Sequence, residues 1–122
     1  MLDLIIKNGQ CYIDGELKKA DVSIQFGKIQ NIGEITDDAK DIYDAKGLVV
    51  LPGCIDTQTH FREPGSTDTE DLNSGSRAAV VGGITAVFEM PNTNPPTSNK
   101  IEFQKKLNLA RNRMYCNYAF YF

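Results

Sequence analysis

The chain has 122 residues, of which 41% are hydrophobic and 24% charged, and its formal net charge is −3. This composition is typical of a folded globular protein and argues against a disordered chain. No basic run indicates a nucleic-acid partner, and no apolar stretch reaches membrane-spanning length. The three cysteines are widely spaced and the N-terminus lacks a signal-peptide pattern, so we expect free thiols and a cytoplasmic protein.

The first 51 residues indicate a small β-rich domain. Short runs of alternating apolar and polar residues predict strands at 2–7, 11–13, 20–26, 29–35, 42–44 and 47–51. A turn is expected at Asn8-Gly9, and Asp14-Gly15 is a strong hairpin signal. The last two runs predict one more hairpin. We therefore predict an antiparallel, β-sandwich-like accessory domain over residues 1–51.

From Pro52 onward, predicted strands alternate with predicted helices. The strands are expected at 54–60, 84–90 and 116–122, and the helices at 68–81 and 99–112. A capping-box pattern, Thr67-x-x-Glu70, is expected to open the first helix, and Thr97 or Ser98 to cap the second. Strands that alternate with helices imply a parallel sheet with right-handed crossovers. The fold class is therefore α/β, with the second part of the chain spanning residues 52–122.

Three polar side chains lie on one face of the first of these later strands. Asp56, Gln58 and His60 are two residues apart, so they point the same way, and Arg62 continues the line if the strand persists. Such side chains could meet a metal ion at the strand end, or they could make ordinary hydrogen bonds there. His60 is the only histidine, and one imidazole is not a zinc site.

Two further residues could bind an anionic or amide-bearing ligand. Arg62 could hold a carboxylate in a two-pronged way, or it could form a surface salt bridge to Glu63 or Asp68. Asn92 or Asn94 follows the second strand, where ligand contacts collect in α/β folds, although asparagine also favours turns for purely local reasons.

Three motifs carry a resemblance to a known family. They are Pro52-Gly-x-Ile-Asp-x-x-x-His-Phe-Arg-Glu-Pro-Gly65, Ala78-Ala-x-x-Gly-Gly-Ile-Thr85 and Met90-Pro-Asn-Thr93. Together they resemble the class I dihydroorotases of the amidohydrolase superfamily. The resemblance implies a small accessory domain followed by a (β/α)₈ barrel with a metal centre, of which this chain would hold about three strands and two helices.

The resemblance also implies an activity and roles for residues. The implied reaction is the reversible interconversion of dihydroorotate and N-carbamoyl-aspartate in pyrimidine biosynthesis, with one or two zinc ions as cofactor. His60 would be a metal ligand, Arg62 and Asn92 would bind the substrate carboxylate, and Asp56 would support the site. Gln58 stands where the family has a second histidine, and an amide oxygen is a weaker zinc ligand than imidazole.

Chain length bears on what these residues can do alone. A (β/α)₈ barrel needs roughly 250 residues, so the catalytic residues are expected beyond Phe122 and the chain alone is expected to be inactive. Two alternatives remain open. One is a non-catalytic scaffold partner of aspartate transcarbamoylase, and the other is a cyclic amidohydrolase of the allantoinase or hydantoinase type. A homodimer is also expected by resemblance, and the composition argues against nucleic acid or a membrane as partner.

Overall fold

The computed structural model describes every residue from Met1 to Phe122. The chain divides into two compact units, Met1–Pro52 and Gly53–Phe122. Strands dominate the first unit, and the second combines strands and helices, so the chain is mixed α/β. No helix has the length and apolar character needed to cross a membrane.

The first unit is one five-stranded sheet. Its strands are β1 (Leu2–Ile13), β2 (Glu16–Gln25), β3 (Lys28–Gly33), β4 (Ala39–Asp44) and β5 (Val49–Val50). They run in the order β3-β2-β1-β4, and β5 also pairs with β1. The β1–β2 hairpin turns at Asp14-Gly15, as predicted. The sheet is mixed, because β1 pairs antiparallel with β2 but parallel with β4 and β5.

The predicted all-antiparallel pairing is therefore wrong, and so are two further sequence predictions for this unit. No chain reversal occurs at Asn8-Gly9: β1 continues through it, and the pairing with β2 shifts register between Ile6 and Gly9. Asn8 takes a left-handed φ of 64° at this irregularity, a conformation that asparagine tolerates. Residues 42–51 do not form a hairpin either, because both strands in that stretch pair with β1 rather than with each other.

The second unit alternates strands and helices. Its elements are β6 (Cys54–Thr59), α1 (Leu72–Val81), β7 (Ile84–Glu89), α2 (Lys100–Ala110) and β8 (Asn117–Phe120). The strands form a parallel sheet in the order β6-β7-β8, which confirms the predicted arrangement. Its core cluster consists of Phe61, Leu72, Val87, Ala110 and Phe120. The chain's polar strand ends therefore meet at one edge of this sheet.

The helix starts differ from the predicted ones. The N-cap of α1 is Asp71, whose carboxylate accepts the N–H of Ser74 at 2.6 Å, so the capping box lies four residues beyond the expected one. The N-cap of α2 is Asn99, whose side-chain oxygen accepts the N–H groups of Ile101 and Glu102 at 3.0 Å each. Both caps satisfy N–H groups that have no partner within the helix.

Candidate functional site

The loops that follow β6 and β7 lie side by side. The N–H of Met90 donates to the carbonyl of Thr59 at 2.9 Å, and the N–H of Asn94 donates to the carbonyl of Pro64 at the same distance. Carboxyl ends of neighbouring parallel strands are where α/β folds gather ligand contacts. The two segments that carry His60, Arg62 and Asn92 are therefore held together at that edge.

His60 and Asn92 are in direct contact. The Nδ1 atom of His60 lies 2.8 Å from the Oδ1 atom of Asn92. An amide oxygen only accepts hydrogen bonds, so Nδ1 is the donor in this contact, and Nε2 makes no hydrogen bond within the chain. His60 is half-buried and Asn92 is exposed. The pair thus presents one imidazole nitrogen that could bind a metal ion or accept a proton.

Asp56 and Gln58 lie on β6, four and two residues before His60. Asp56 is half-buried, Gln58 is exposed, and the carboxylate of Asp56 accepts the backbone N–H of Gln58 at 2.9 Å. The hydrogen bond of Asp56 is therefore local to the strand. The structure places these two side chains near the start of the polar stretch and gives neither a hydrogen bond to His60 or Asn92.

Arg62 is exposed and has a left-handed φ of 63°. It forms no salt bridge with Glu63, which pairs with Arg113, and none with Asp68. A guanidinium without a carboxylate partner in the chain is available to an anionic ligand. Asn94, the alternative to Asn92, is exposed and joins the neighbouring loop through its backbone N–H.

The residues on either side of Arg62 are buried and anchor the loop to the interior of the second unit. Phe61 is 5% exposed and Glu63 is 7% exposed. Glu63 accepts the N–H of Leu72 at 2.9 Å and both guanidinium nitrogens of Arg113 at 2.7 and 3.1 Å. This pairing raises the pKa of Arg113, chiefly through the hydrogen bond to Glu63. Inward and outward side chains thus alternate along residues 60–63.

Sequence reasoning missed a buried pair beneath these loops. Glu89, at the end of β7, and Lys106, on α2, are both fully buried and in contact. Burial raises the pKa of Glu89 above its usual value, and the hydrogen bond and charge of Lys106 oppose that rise. A signal existed in the sequence, because Lys106 lies on the same helical face as the core residues Phe103 and Ala110.

The residues present do not form a complete metal site. Zinc in proteins takes three or four protein ligands, and no group of three or more His, Cys, Asp or Glu side chains in this structure could hold a metal ion. His60 offers a single ring nitrogen, and Gln58 offers only a neutral, exposed amide.

Comparisons with known proteins give the site its context. The model of the amidohydrolase family matches residues 49–121. An allantoinase from Escherichia coli O1:K1 / APEC is 43% identical over 113 residues, which is 92% of this chain and 25% of that protein. The chain therefore spans about a quarter of the length of this curated relative.

Solved structures agree with that finding. The L-hydantoinase (dihydropyrimidinase) from Arthrobacter aurescens has a TM-score of 0.89 and 32% identity, covering 99% of this chain and 28% of its own. An N-acyl-D-glutamate deacylase from Bordetella bronchiseptica, complexed with zinc and a phosphonate inhibitor, has a TM-score of 0.59 and 27% identity over 72% of this chain and 18% of its own.

These relatives bear on the family that the motifs suggested. Their names are allantoinase, hydantoinase and deacylase, so they support the superfamily but not dihydroorotase activity in particular. The family match extends over more than half of the residues and includes both loops that carry His60 and Asn92. The chain belongs to the amidohydrolase family.

Proposed function

We propose that the whole protein hydrolyses a cyclic amide of the ureide class, as an allantoinase or hydantoinase does. The observation that carries the proposal is the His60–Asn92 pair, at 2.8 Å, on adjacent strand ends of an amidohydrolase-family unit. The names of the relatives then favour cyclic ureides over dihydroorotate. The dihydroorotase reading is carried only by the motifs around Arg62 and Asn92.

The chemistry of the reaction suits the charge at this edge. Hydrolysis breaks the ring C–N bond and adds the hydroxyl of water to the carbonyl carbon and its proton to the nitrogen. The carboxylic acid so formed releases a proton to solvent and becomes a carboxylate. Arg62 is exposed and has no carboxylate partner, and a guanidinium binds a carboxylate through two parallel hydrogen bonds. We assign Arg62 to the binding of the carboxylate that ring opening produces, and Asn92 to the orientation of His60.

We also propose that the whole protein binds zinc. Amidohydrolases are generally metal-dependent, and the deacylase similar to this chain was solved with zinc. Within this chain His60 would supply one ligand through Nε2, since Nδ1 faces Asn92. Gln58 is at most a weak neutral ligand, and the remaining ligands would lie outside these residues.

A substrate panel tests the proposal. The whole protein, supplied with zinc, is assayed with allantoin, hydantoin and dihydroorotate, and we expect turnover of one of the first two. His60→Asn and Arg62→Lys should each lower kcat/KM, whereas Arg111→Lys, at an exposed arginine outside the site, should not. Turnover of dihydroorotate alone would correct the substrate class, and a folded, zinc-loaded protein that hydrolyses none of the three would overturn the proposal.

A further inference from the structure

Two charged side chains occupy the interior of the second unit. Glu89 and Lys106 are each 0% exposed, and they contact one another. Removing two charges from water is costly, and apolar residues of similar volume often stabilise a fold equally well or better. Stability alone therefore does not explain why this pair occupies the core, and its remaining contacts indicate another role.

Each member of the pair also bonds to the backbone of one site loop. The Oε1 atom of Glu89 accepts the N–H of Phe61 at 3.2 Å, directly after His60. The Nζ atom of Lys106 donates to the carbonyl of Met90 at 3.1 Å, two residues before Asn92.

The end of β8 also contacts Glu89 and Lys106. The N–H of Tyr121 donates to the carbonyl of Glu89 at 3.0 Å. The ammonium of Lys106 lies 5.1 Å from the ring centroid of Phe120, a cation–π distance. The pair therefore contacts the carboxyl ends of all three parallel strands.

We propose that Glu89 and Lys106 are positioning residues that fix the two loops so that His60 meets Asn92. Hydrogen bonds from a buried ion pair are directional, whereas apolar packing is not, so an apolar pair would fill the space without setting the loop positions. The inference rests on the proposed function for its link to catalysis, and on the contacts alone for the geometry of the His60–Asn92 pair.

The test separates loop position from fold stability. In the whole protein, the double variant Glu89→Leu/Lys106→Met removes both loop anchors, keeps an apolar volume and leaves no unpaired charge. Glu89→Gln/Lys106→Met restores an acceptor for the loop after His60. Ile84→Ala lowers stability at the opposite end of the same strand and serves as the matched control.

The first readout is the tautomer of His60 in the zinc-free protein, because zinc on Nε2 would itself keep the proton on Nδ1. It is measured by ¹⁵N NMR of the ring nitrogens, with the signal assigned by its loss in His60→Gln. We expect the Nδ1–H form in the parent protein and in Ile84→Ala, a mixed population in the Glu89→Leu/Lys106→Met variant, and partial recovery in the glutamine variant. The second readout is kcat/KM for the ureide, which should fall about ten- to a hundredfold in the leucine variant, as for other outer-shell partners.

Two outcomes would overturn the positioning role of Glu89 and Lys106. A folded leucine variant with an unchanged His60 signal would overturn the proposal, and so would failure of both double variants to fold, because the pair would then be needed for folding itself. The NMR readout does not depend on turnover. If the protein hydrolysed no ureide yet the His60 signal changed as expected, the positioning role would stand and the proposed function would fail.

Discussion

Gly75, in the second turn of α1, is the position where one methyl group should disturb the site most directly. A Cβ atom there would lie 2.8 Å from Cε1 and 2.9 Å from Cγ of Phe61, and closer still to Cδ1. Phe61 is buried and its N–H is held by Glu89, so its ring cannot simply swing into solvent. Gly75→Ala should therefore force the ring, and with it the segment after His60, to move.

The magnitude follows from two opposing effects. Overpacking a core costs about 1–3 kcal/mol, and replacing glycine by alanine inside a helix gains about 1 kcal/mol. We expect a net loss of about 1 kcal/mol in the free energy of unfolding, as the resultant of these two effects. Gly82→Ala is the matched control, because its nearest contact would be 3.4 Å from the carbonyl oxygen of Ala79; it should be nearly neutral.

Urea unfolding of the single and double variants measures the clash. Phe61→Leu allows the side chain to turn its methyl groups aside, so Gly75→Ala should cost less in that background, with a coupling energy of about 1 kcal/mol, within the usual range for residues in contact. If Gly75→Ala instead stabilised the protein by about the helix-propensity gain, or if the two substitutions were additive, the reasoning from the Phe61 contact would be refuted.

Three further predictions concern the second unit and the thiols. Glu63→Gln should lower the free energy of unfolding by about 1–3 kcal/mol in thermal or urea unfolding, because it weakens charged hydrogen bonds to a partly exposed Arg113; an unchanged stability would contradict the anchoring role. Hydrogen bonds from Ser74 lower the pKa of Asp71 below its usual value of 3.8. The ionised carboxylate therefore stabilises the fold above pH 3.8, and this stabilisation is lost as the pH falls through the lowered pKa. The difference in urea midpoint between the protein and Asp71→Asn should shrink below pH 3.8. Exposed Cys54 should react with a maleimide in seconds to minutes while buried Cys11, whose pKa is raised by burial, stays unmodified in the native protein, as mass spectrometry of the labelled peptides would show; equal labelling would contradict the described burial.

The parallel sheet of the second unit was predictable because its signal is local and periodic. Apolar strands alternate with helical spacing, and right-handed crossovers leave few alternatives. The strand pairing in the first unit was not predictable from the sequence, because alternation indicates which face a residue occupies but not which strand it pairs with. The runs 42–44 and 47–51 therefore looked like a hairpin, although the strands observed there, β4 and β5, both lie beside β1.

Capping chemistry was equally ambiguous at the start of α1. Thr67-x-x-Glu70 and Asp71-x-x-Ser74 both carry capping residues, and the choice between them depends on the fold: Glu63, nine residues before the helix, accepts the N–H of Leu72. The sequence predicted that His60 and Asn92 follow neighbouring strands. It did not predict the hydrogen bond between their side chains.

The pair of Glu89 and Lys106 shows a different limit of sequence reading. A lysine and a glutamate are ordinarily surface residues. The helical spacing that places Lys106 with Phe103 and Ala110 indicates burial of the lysine, but it does not identify Glu89 as its partner. Their pairing becomes visible only when the end of β7 is placed against the inner face of α2, where Lys106 follows Glu89 by seventeen residues. Chemistry that depends on two distant residues being buried together is not encoded in either local pattern.

The alternation along residues 60–63 has a consequence for how such a protein could change. His60 is half-buried and Arg62 is exposed, whereas Phe61 and Glu63 are buried and attach the segment to the core. Under the roles that we propose, ligand recognition and anchorage fall to different residues of one tetrapeptide. A new ligand preference could arise by exchanging Arg62 alone, with the backbone path left intact, so a single codon would separate two specificities on one scaffold.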